Sequence, residues 1–378
     1  MYILGIHDGH HSGAAIFKDF KLICAISEER ISRNKNEYGF PKLSINYCIK
    51  KAKINKSQIS HVAFSTKLLP PRYMIVKRNT TFTLDDYKKE QEEYWYQIFY
   101  KKKKQKNLNI FKKKIKKSTV YDYKRLKNEN DEESLQDIRK EGVKKFLGIK
   151  HNKIFFYDHH KCHAYYAFYS SPDREKLDHI FTCDGGGDKT NGTIWKVKNK
   201  KYLKEIYRTN IANIGRIYRY IVMLLNMKPS ENEFKVMGLA GYSSLDSKYN
   251  MEATKLFLEV LDVQGIKFKY KKKVKDLYFY FNNKLKNYRF DSVAFAVQYF
   301  TEKLLLKWFN NSQKKLNCKK VGFAGGVAQN IKAIKNILDK SKINHIYVPP
   351  GAGDESLSIG AIYAFFASQK NFNKKISD

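Results

Sequence analysis

The strongest constraint on this chain is a pattern written twice: a short apolar strand, a turn rich in acid and glycine, and a returning apolar strand. The first copy runs Tyr2–Ile6, then Asp8-Gly9-His10-His11-Ser12-Gly13, then Ala14–Phe17, with a third run at Lys21–Ser27. The second runs His179–Cys183, then Asp184-Gly185-Gly186-Gly187-Asp188, then Thr193–Val197. Apolar runs joined by a tight glycine turn are hairpins whose loop is of phosphate size. Two such hairpins in one chain imply two related lobes that close over a nucleotide.

The remaining segments alternate between strand and helix patterns, which is the signature of an α/β fold. Helices are expected from about Ser44 to Lys53, Cys162 to Tyr169, Ala328 to Leu338 and Ser356 to Phe366. Another is expected to start at Asp291 as its cap, with Val293, Val297, Phe300, Leu304 and Trp308 at three- and four-residue spacing. Strands are expected at His61–Ser65, Lys153–Tyr157, Val321–Ala324 and His345–Val348. From about 74 to 150 the character changes: lysine runs at 101–104 and 112–117 stand beside Tyr94, Trp95, Tyr96, Phe99 and Tyr100. That mixture predicts long surface helices inserted between core strands.

With 42% hydrophobic residues, 378 residues are enough to bury a core. Lys+Arg at 73 against Asp+Glu at 37 gives a formal charge of +36, which attracts polyanions. No zinc-finger, RRM or KH signature accompanies that charge, so a nucleic-acid partner is not favoured. The five cysteines form no CxxC pair, which points to a reducing cytoplasm, and no apolar stretch is long enough to span a bilayer.

Four constellations carry chemistry. His159-His160-Lys161-Cys162-His163 puts two histidines four apart on one helical face, where both rings can address one ion. An isolated HxxxH is more often a pair of helix-start histidines bonded to backbone, and a metal site needs a third ligand; Asp354, on the loop Pro349-Pro350-Gly351-Ala352-Gly353-Asp354, is the candidate. Asp184 to Asp188 offers glycine N–H groups to phosphate and carboxylates to a Mg2+ ion or its waters. Gly325-Gly326-Val327-Ala328-Gln329-Asn330 stands at a strand-to-helix junction, where donors face a ligand, yet it is not a GxGxxG and no Walker A sequence occurs. His10, His11, Glu29, Arg30 and Lys35 form a polar set near the amino terminus, suited to proton transfer or phosphate clamping.

Seven segments in order, ILGIHDGHHSGAA, SEERISRNKNEYGFP, DHHKCHAYYAFYSSP, CDGGGD, EFKVMGLAGY, FAGGVAQN and PPGAGDESLSIGA, resemble the NodU/CmcH carbamoyltransferase family. Its larger domain is similar to the TsaD enzyme of tRNA threonylcarbamoylation, and the resemblance runs from Met1 to about Ala367 outside part of the insertion. It implies a duplicated actin-like ATPase (ASKHA, ribonuclease-H-like) fold, with lobes at 1–165 and 166–378. It also implies transfer of a carbamoyl group from carbamoyl-adenylate to the hydroxyl of a small acceptor such as a sugar. His159, His163 and Asp354 match the metal ligands, for Fe2+. Asp184, Gly185, Gly186, Gly187, Asp188, Lys235, Gly325, Gly326 and Asn330 match nucleotide contacts for ATP, AMP or carbamoyl-adenylate. His10 matches the acceptor-side histidine, as base or orienting group, and Lys35 the lysine that stabilises the carbamoyl oxygen.

Departures from the family pattern bear on the acceptor and the donor. Gly241 stands where a proline usually follows GLA, and His11-Ser12 replaces the usual polar pair. Family members continue into a YrdC-like domain that makes carbamoyl-adenylate, whereas this sequence ends at Asp378. A separate YrdC-like protein, a shortened chain, or a domain put to another use are the expectations that follow; a homodimer is compatible with all three. A non-catalytic nucleotide-binding partner module and tRNA modification of the TsaD kind are the alternative functions.

Overall fold

The computed structural model describes residues 1–116 and 120–369; the end of the expected second lobe, 370–378, lies outside them. Five strands form the first sheet: β1 (Tyr2–His7), β2 (Gly13–Lys18), β3 (Lys21–Ser27), β4 (Ile59–Phe64) and β5 (Ile154–Phe156). Their order is β3-β2-β1-β4-β5, with β1–β2 and β2–β3 antiparallel and β1–β4 and β4–β5 parallel. Strands β6 (His179–Gly187), β7 (Thr190–Lys198), β8 (Tyr202–Thr209), β11 (Lys320–Ala324) and β12 (His345–Tyr347) repeat it in the order β12-β11-β6-β7-β8. The pairing directions repeat as well, hairpins on one side and parallel strands on the other. This duplicated topology is the actin-like, ribonuclease-H-like architecture expected. A separate two-stranded ribbon, β9 (Leu261–Gln264) and β10 (Lys267–Tyr270), lies on the second lobe.

Seven helices matter for the site: α1 (Lys42–Ala52), α2 (Glu132–Leu147), α3 (His159–Tyr169), α4 (Ile214–Leu224), α5 (Phe290–Leu316), α6 (Ile331–Lys340) and α7 (Leu357–Ser368). Helix α3 packs on β6 and β11, and α7 packs on β1, β2, β4 and α3. One apolar layer therefore joins the lobes: Ile3 and Phe17 meet Ala164 and Phe168 of α3, Ile362 and Phe365 of α7, and Ile180 and Trp195 of the second sheet. Burying this shared layer fixes the two sheets relative to each other and leaves a cleft between their glycine turns.

Two expectations need correction. Asp291 does not cap α5; the cap is Arg289, and Asp291 lies in the first turn with a carboxylate oxygen 3.1 Å from Arg289 Nε. A carboxylate in a first turn is favourable through the helix dipole without capping geometry. The helix itself follows the expected stripe, since Val293, Val297, Phe300, Leu304 and Trp308 are all buried.

The insertion is also not a set of long surface helices. Only α2 and a run from Leu84 to Phe99, interrupted by a π-helical turn at Glu90–Trp95, are long; the other helices have three to five residues. They are held by small cores of their own, one of which joins Val76, Phe82, Tyr87 and Phe111 to Met223 and Tyr278 of the second lobe. A buried ion pair, Arg78 to Glu90, sits beside Tyr73 and Tyr87. The insertion thus spans from the first lobe to the second and roofs the cleft.

The five cysteines are free, and no helix among the described residues is long and apolar enough to cross a membrane.

Candidate active site

The floor of the cleft is made where three segments come together. Helix α3 starts at His159 because Asp158 caps it, accepting the Lys161 N–H at 2.9 Å. One turn apart on that helix, the Nε2 atoms of His159 and His163 lie 3.2 Å from each other. Asp354, in the turn that leads into α7, brings Oδ1 to 3.4 Å from His159 Nε2 and 3.3 Å from His163 Nε2. Asp184 of β6 brings Oδ2 to 3.4 Å from His163 Nε2. All four ligand atoms lie within 4.8 Å of one another.

These separations are those of donors arranged around one ion. Ligand atoms about 2.1 Å from a tetrahedral or octahedral centre stand about 3.0–3.4 Å apart. The electrostatics agree. Burial alone would lower the pKa of His163, but Asp184 and Asp354 raise it to about 9. Burial would raise Asp354, yet the charges of His159 and His163 hold it well below the ordinary carboxylate value. Two half-buried carboxylates here call for a cation, and a proton on His163 supplies one; a divalent ion would displace that proton. The donor set, two imidazoles and two carboxylates, fits a transition-metal ion.

The supporting shell is equally specific. His7 donates from Nε2 to the His10 carbonyl at 2.7 Å and accepts at Nδ1 from Ser65 at 2.7 Å, so both its nitrogens are used. Burial lowers its pKa to about 4. His160 points away into the second lobe, with Nδ1 2.7 Å from Thr182 Oγ1. Asp188 accepts from Thr66 Oγ1, from the backbone N–H of Lys67 and Leu68, and from the His159 N–H at 2.7 Å. Its carboxylate therefore ties the β6–β7 turn to the first lobe and to the start of α3.

The glycines have packing reasons. A Cβ at Gly187 would stand 2.2 Å from Cγ of the His159 ring, so only hydrogen fits. Gly325 has φ +93°, and a Cβ there would meet the Cys183 carbonyl at 2.3 Å. The next residue, Gly326, donates its N–H to Asp184 Oδ2 at 2.8 Å.

Above this floor the cleft encloses about 930 Å3. His10 faces it, with Nδ1 2.7 Å from Asn79 Nδ2, while Tyr87 donates its hydroxyl to Asn79 Oδ1 at 3.1 Å. The amide nitrogen can only donate, so His10 Nδ1 accepts and the proton of the neutral ring sits on Nε2. Burial and the neighbouring His11 keep His10 well below its usual pKa, hence uncharged. For His11 burial acts downward, but Glu29, 3.7 Å away, and the acids Glu355 and Asp354 raise its pKa.

The family model for the carbamoyltransferase N-terminus matches residues 2–363. The chain belongs to the carbamoyltransferase family. An uncharacterized protein of Methanocaldococcus jannaschii is 28% identical over 372 residues, covering 96% of this chain and 57% of its own length. Nodulation protein NolNO of Sinorhizobium fredii is 24% identical over 361 residues, 93% of this chain and 45% of that protein. The chain thus spans about half the length of these curated relatives. Among solved structures, component A of the Acidaminococcus fermentans (R)-2-hydroxyglutaryl-CoA dehydratase covers 98% of the chain with 12% identity and a TM-score of 0.48.

Within the cleft the residues singled out from the sequence divide into two groups. His10, Asp184, Gly185, Gly186, Gly187, Asp188, Gly326, Asn330, His159 and Asp354 line it, and His163 lies directly beneath. Gly325 sits just behind Gly326 with its N–H bonded to the Ala352 carbonyl. Asn330 caps α6, accepting the Ala333 N–H at 3.0 Å, and bonds Gln298. Lys35 and Lys235 do not line the cleft. Lys35 is exposed with Nζ 3.6 Å from Glu231, and Lys235 is exposed beside Phe234.

Several participants escaped sequence reasoning. Asp184 was singled out as a nucleotide contact, and its place beside His163 was not foreseen. Arg139 of the insertion forms a fully buried pair with Asp8, and Arg216 and Arg219 line the cleft from α4. The only sequence signal for the last two was their three-residue spacing, which puts them on one helical face.

Proposed function

We propose that this carbamoyltransferase chain moves a carbamoyl group from carbamoyl-adenylate to a hydroxyl of a small acceptor. The observation that carries the reading is the meeting of His159, His163, Asp184 and Asp354 on the cleft floor, beside the glycine turns, in a member of this family. These four residues would hold a divalent ion, Fe2+ in the family resemblance, whose positive charge would stabilise developing oxyanions. Gly185–Gly187 and Gly326, which line the cleft without side chains, would receive the nucleotide, and Mg2+ would neutralise its phosphate.

The protein's own contribution is positioning. Asp188 holds the start of α3, and therefore His159, against the first lobe. His10, with its proton on Nε2, donates to an oxygen of the reacting groups and so acts as the orienting group rather than as the base. The acceptor oxygen bonds to the carbamoyl carbon while the bond from that carbon to the adenylate oxygen breaks. AMP leaves with the electron pair, and the hydroxyl proton ends on its phosphate. Lys35 can join only by giving up Glu231. The donor is the product of a YrdC-like activity.

The test is direct. Purified chain, carbamoyl-adenylate and a divalent metal are mixed with a panel of sugars and nucleotide sugars, and acceptor mass and AMP release are followed. Transfer that disappears in H163A supports the reading; an intact panel with metal present refutes it.

A further inference from the structure

The acids and bases lining the cleft are not matched evenly. Asp184 and Asp354 face the histidines, Asp188 is saturated by donors, Glu132 pairs with Lys189, and Glu355 accepts from Gln329. Among the described residues Glu233 and Asp276, the acids on the side of Arg219 and Arg216, accept only from backbone N–H groups, of Ser230 and Phe279. The guanidinium of Arg78 is neutralised by Glu90. Arg72, Arg216 and Arg219 have no carboxylate within 4.0 Å among the described residues, although all three line the cleft. Among the described residues Arg219 makes no hydrogen bond, and its Nη2 is buried without an acceptor; Arg72 donates from Nη2 to the Tyr73 hydroxyl at 3.3 Å, but its Nε is buried and unmatched. Partly buried guanidinium groups left this way are uncommon unless a ligand completes them.

These two arginines flank one aromatic wall. Arg72 lies 4.4 Å from the Tyr73 ring, Arg78 bridges Tyr73 and Tyr87 at 5.1 and 4.5 Å, and Arg219 lies 5.6 Å from Tyr87. The same Tyr87 bonds the Asn79 that orients His10, so the wall leads directly to that histidine. Gln91, on the π-helical turn, contributes a buried Oε1 that accepts from nothing among the described residues. A π-helical turn re-aims side chains and is often found at ligand sites. Arginine donors, aromatic faces and an amide acceptor together suit a ring that bears hydroxyls and a negative charge.

We propose that the acceptor is an anion, a hydroxylated ring carrying a carboxylate or a phosphate, held by Arg72 and Arg219 across the Tyr73–Tyr87 wall. This rests on the transferase reading for the word acceptor, but the binding itself does not require turnover. Arg216 belongs with the donor end, since its Nη2 is the atom nearest a Cβ at Gly186, at 3.4 Å. An anion at Arg219 leaves its ring hydroxyls beside His10.

Equilibrium binding of glucuronate, glucose 6-phosphate and glucose to the full chain, by calorimetry, tests this, with AMP binding measured separately. One of the two anions is expected to bind more tightly than glucose and to weaken about ten- to a hundredfold in R72Q and R219Q. R219K is expected to retain part of the affinity, and AMP binding is expected to survive in every variant. Preference between glucuronate and the phosphate identifies the charged group. Glucose binding as tightly as both anions, no binding by any of the three, variants that bind anions normally, or variants that lose AMP would each overturn the proposal. Failure of the transfer assay with anion binding intact would instead overturn the transferase reading alone.

Discussion

Replacing Arg139 with methionine should destabilise the protein strongly, and the reason lies in one carboxylate. Arg139 Nε and Nη2 donate to the two oxygens of Asp8 at 2.8 and 2.7 Å, and Nη1 donates to the Thr66 carbonyl at 3.0 Å. Neither side chain is exposed at all. The guanidinium lies against the stacked Phe64–Phe156 pair, 4.4 and 4.6 Å from their centroids, a place that a methionine side chain occupies without a large cavity. What R139M changes is therefore mainly charge: Asp8 keeps its bond from the Tyr121 hydroxyl at 2.8 Å but loses its counter-ion. Stranding a buried charge costs about 3–5 kcal/mol. The double variant D8N/R139M removes the stranded charge, and should recover about 2 kcal/mol or more of that loss. Urea denaturation followed by tryptophan fluorescence and circular dichroism measures both. A loss below about 1 kcal/mol for R139M, or a double variant no more stable than R139M, would refute the stranded-charge argument. Because Asp8 lies between His7 and His10, the same pair couples the insertion to the site.

Three further outcomes follow from the geometry. G187A puts a Cβ into the His159 ring, so metal affinity measured by calorimetry should fall about 10–100-fold, whereas G185A, whose Cβ meets nothing within 4 Å, should leave it unchanged. D188N sets an amide N–H2 against backbone donors. It should cost about 2–4 kcal/mol in urea denaturation and loosen His159; a change within about 0.5 kcal/mol would contradict its role as a tie between lobes. The His11–Glu29 pair should be pH-dependent in a defined window. The interaction with His11, 3.7 Å away, lowers Glu29 to about 2, so its contribution is present above 4.5 and lost as pH falls through about 2. The raised pKa of His11 makes its contribution complete below 6.5 and lost as pH rises through the folded value. The stability gap between wild type and E29Q should therefore be widest between pH 4.5 and 6.5, and a gap that stays constant up to pH 9 would show that the pair does not matter.

Much of the architecture was legible because it is local. Alternating apolar runs and glycine turns announced both hairpins, and three- and four-residue spacing marked α5 from Val293 to Trp308. His159 and His163 could be placed on one face for the same reason. The insertion was misread because its short helices are held by contacts to distant segments, such as Phe82 and Tyr87 to Met223 and Tyr278, which leave no periodic trace. Asp184 read as a nucleotide contact because a carboxylate beside glycines suits either task. The ladder shifts between Cys183 and Gly187, and the carboxylate ends beside His163. Lys35 matched a motif, yet it meets Glu231, a residue nearly two hundred positions away.

By itself, then, the chain's order of residues determined its strands, its glycine turns, its duplicated lobes and the helical pair of imidazoles. Backbone hydrogen bonding and side-chain periodicity depend on neighbours within a few positions, so they can be read directly. Only the folded form decided which carboxylates face those imidazoles, which arginines stay unpaired and which lysine turns outward. Those outcomes depend on through-space distances between segments brought together by burial of the shared layer, and no local pattern encodes them.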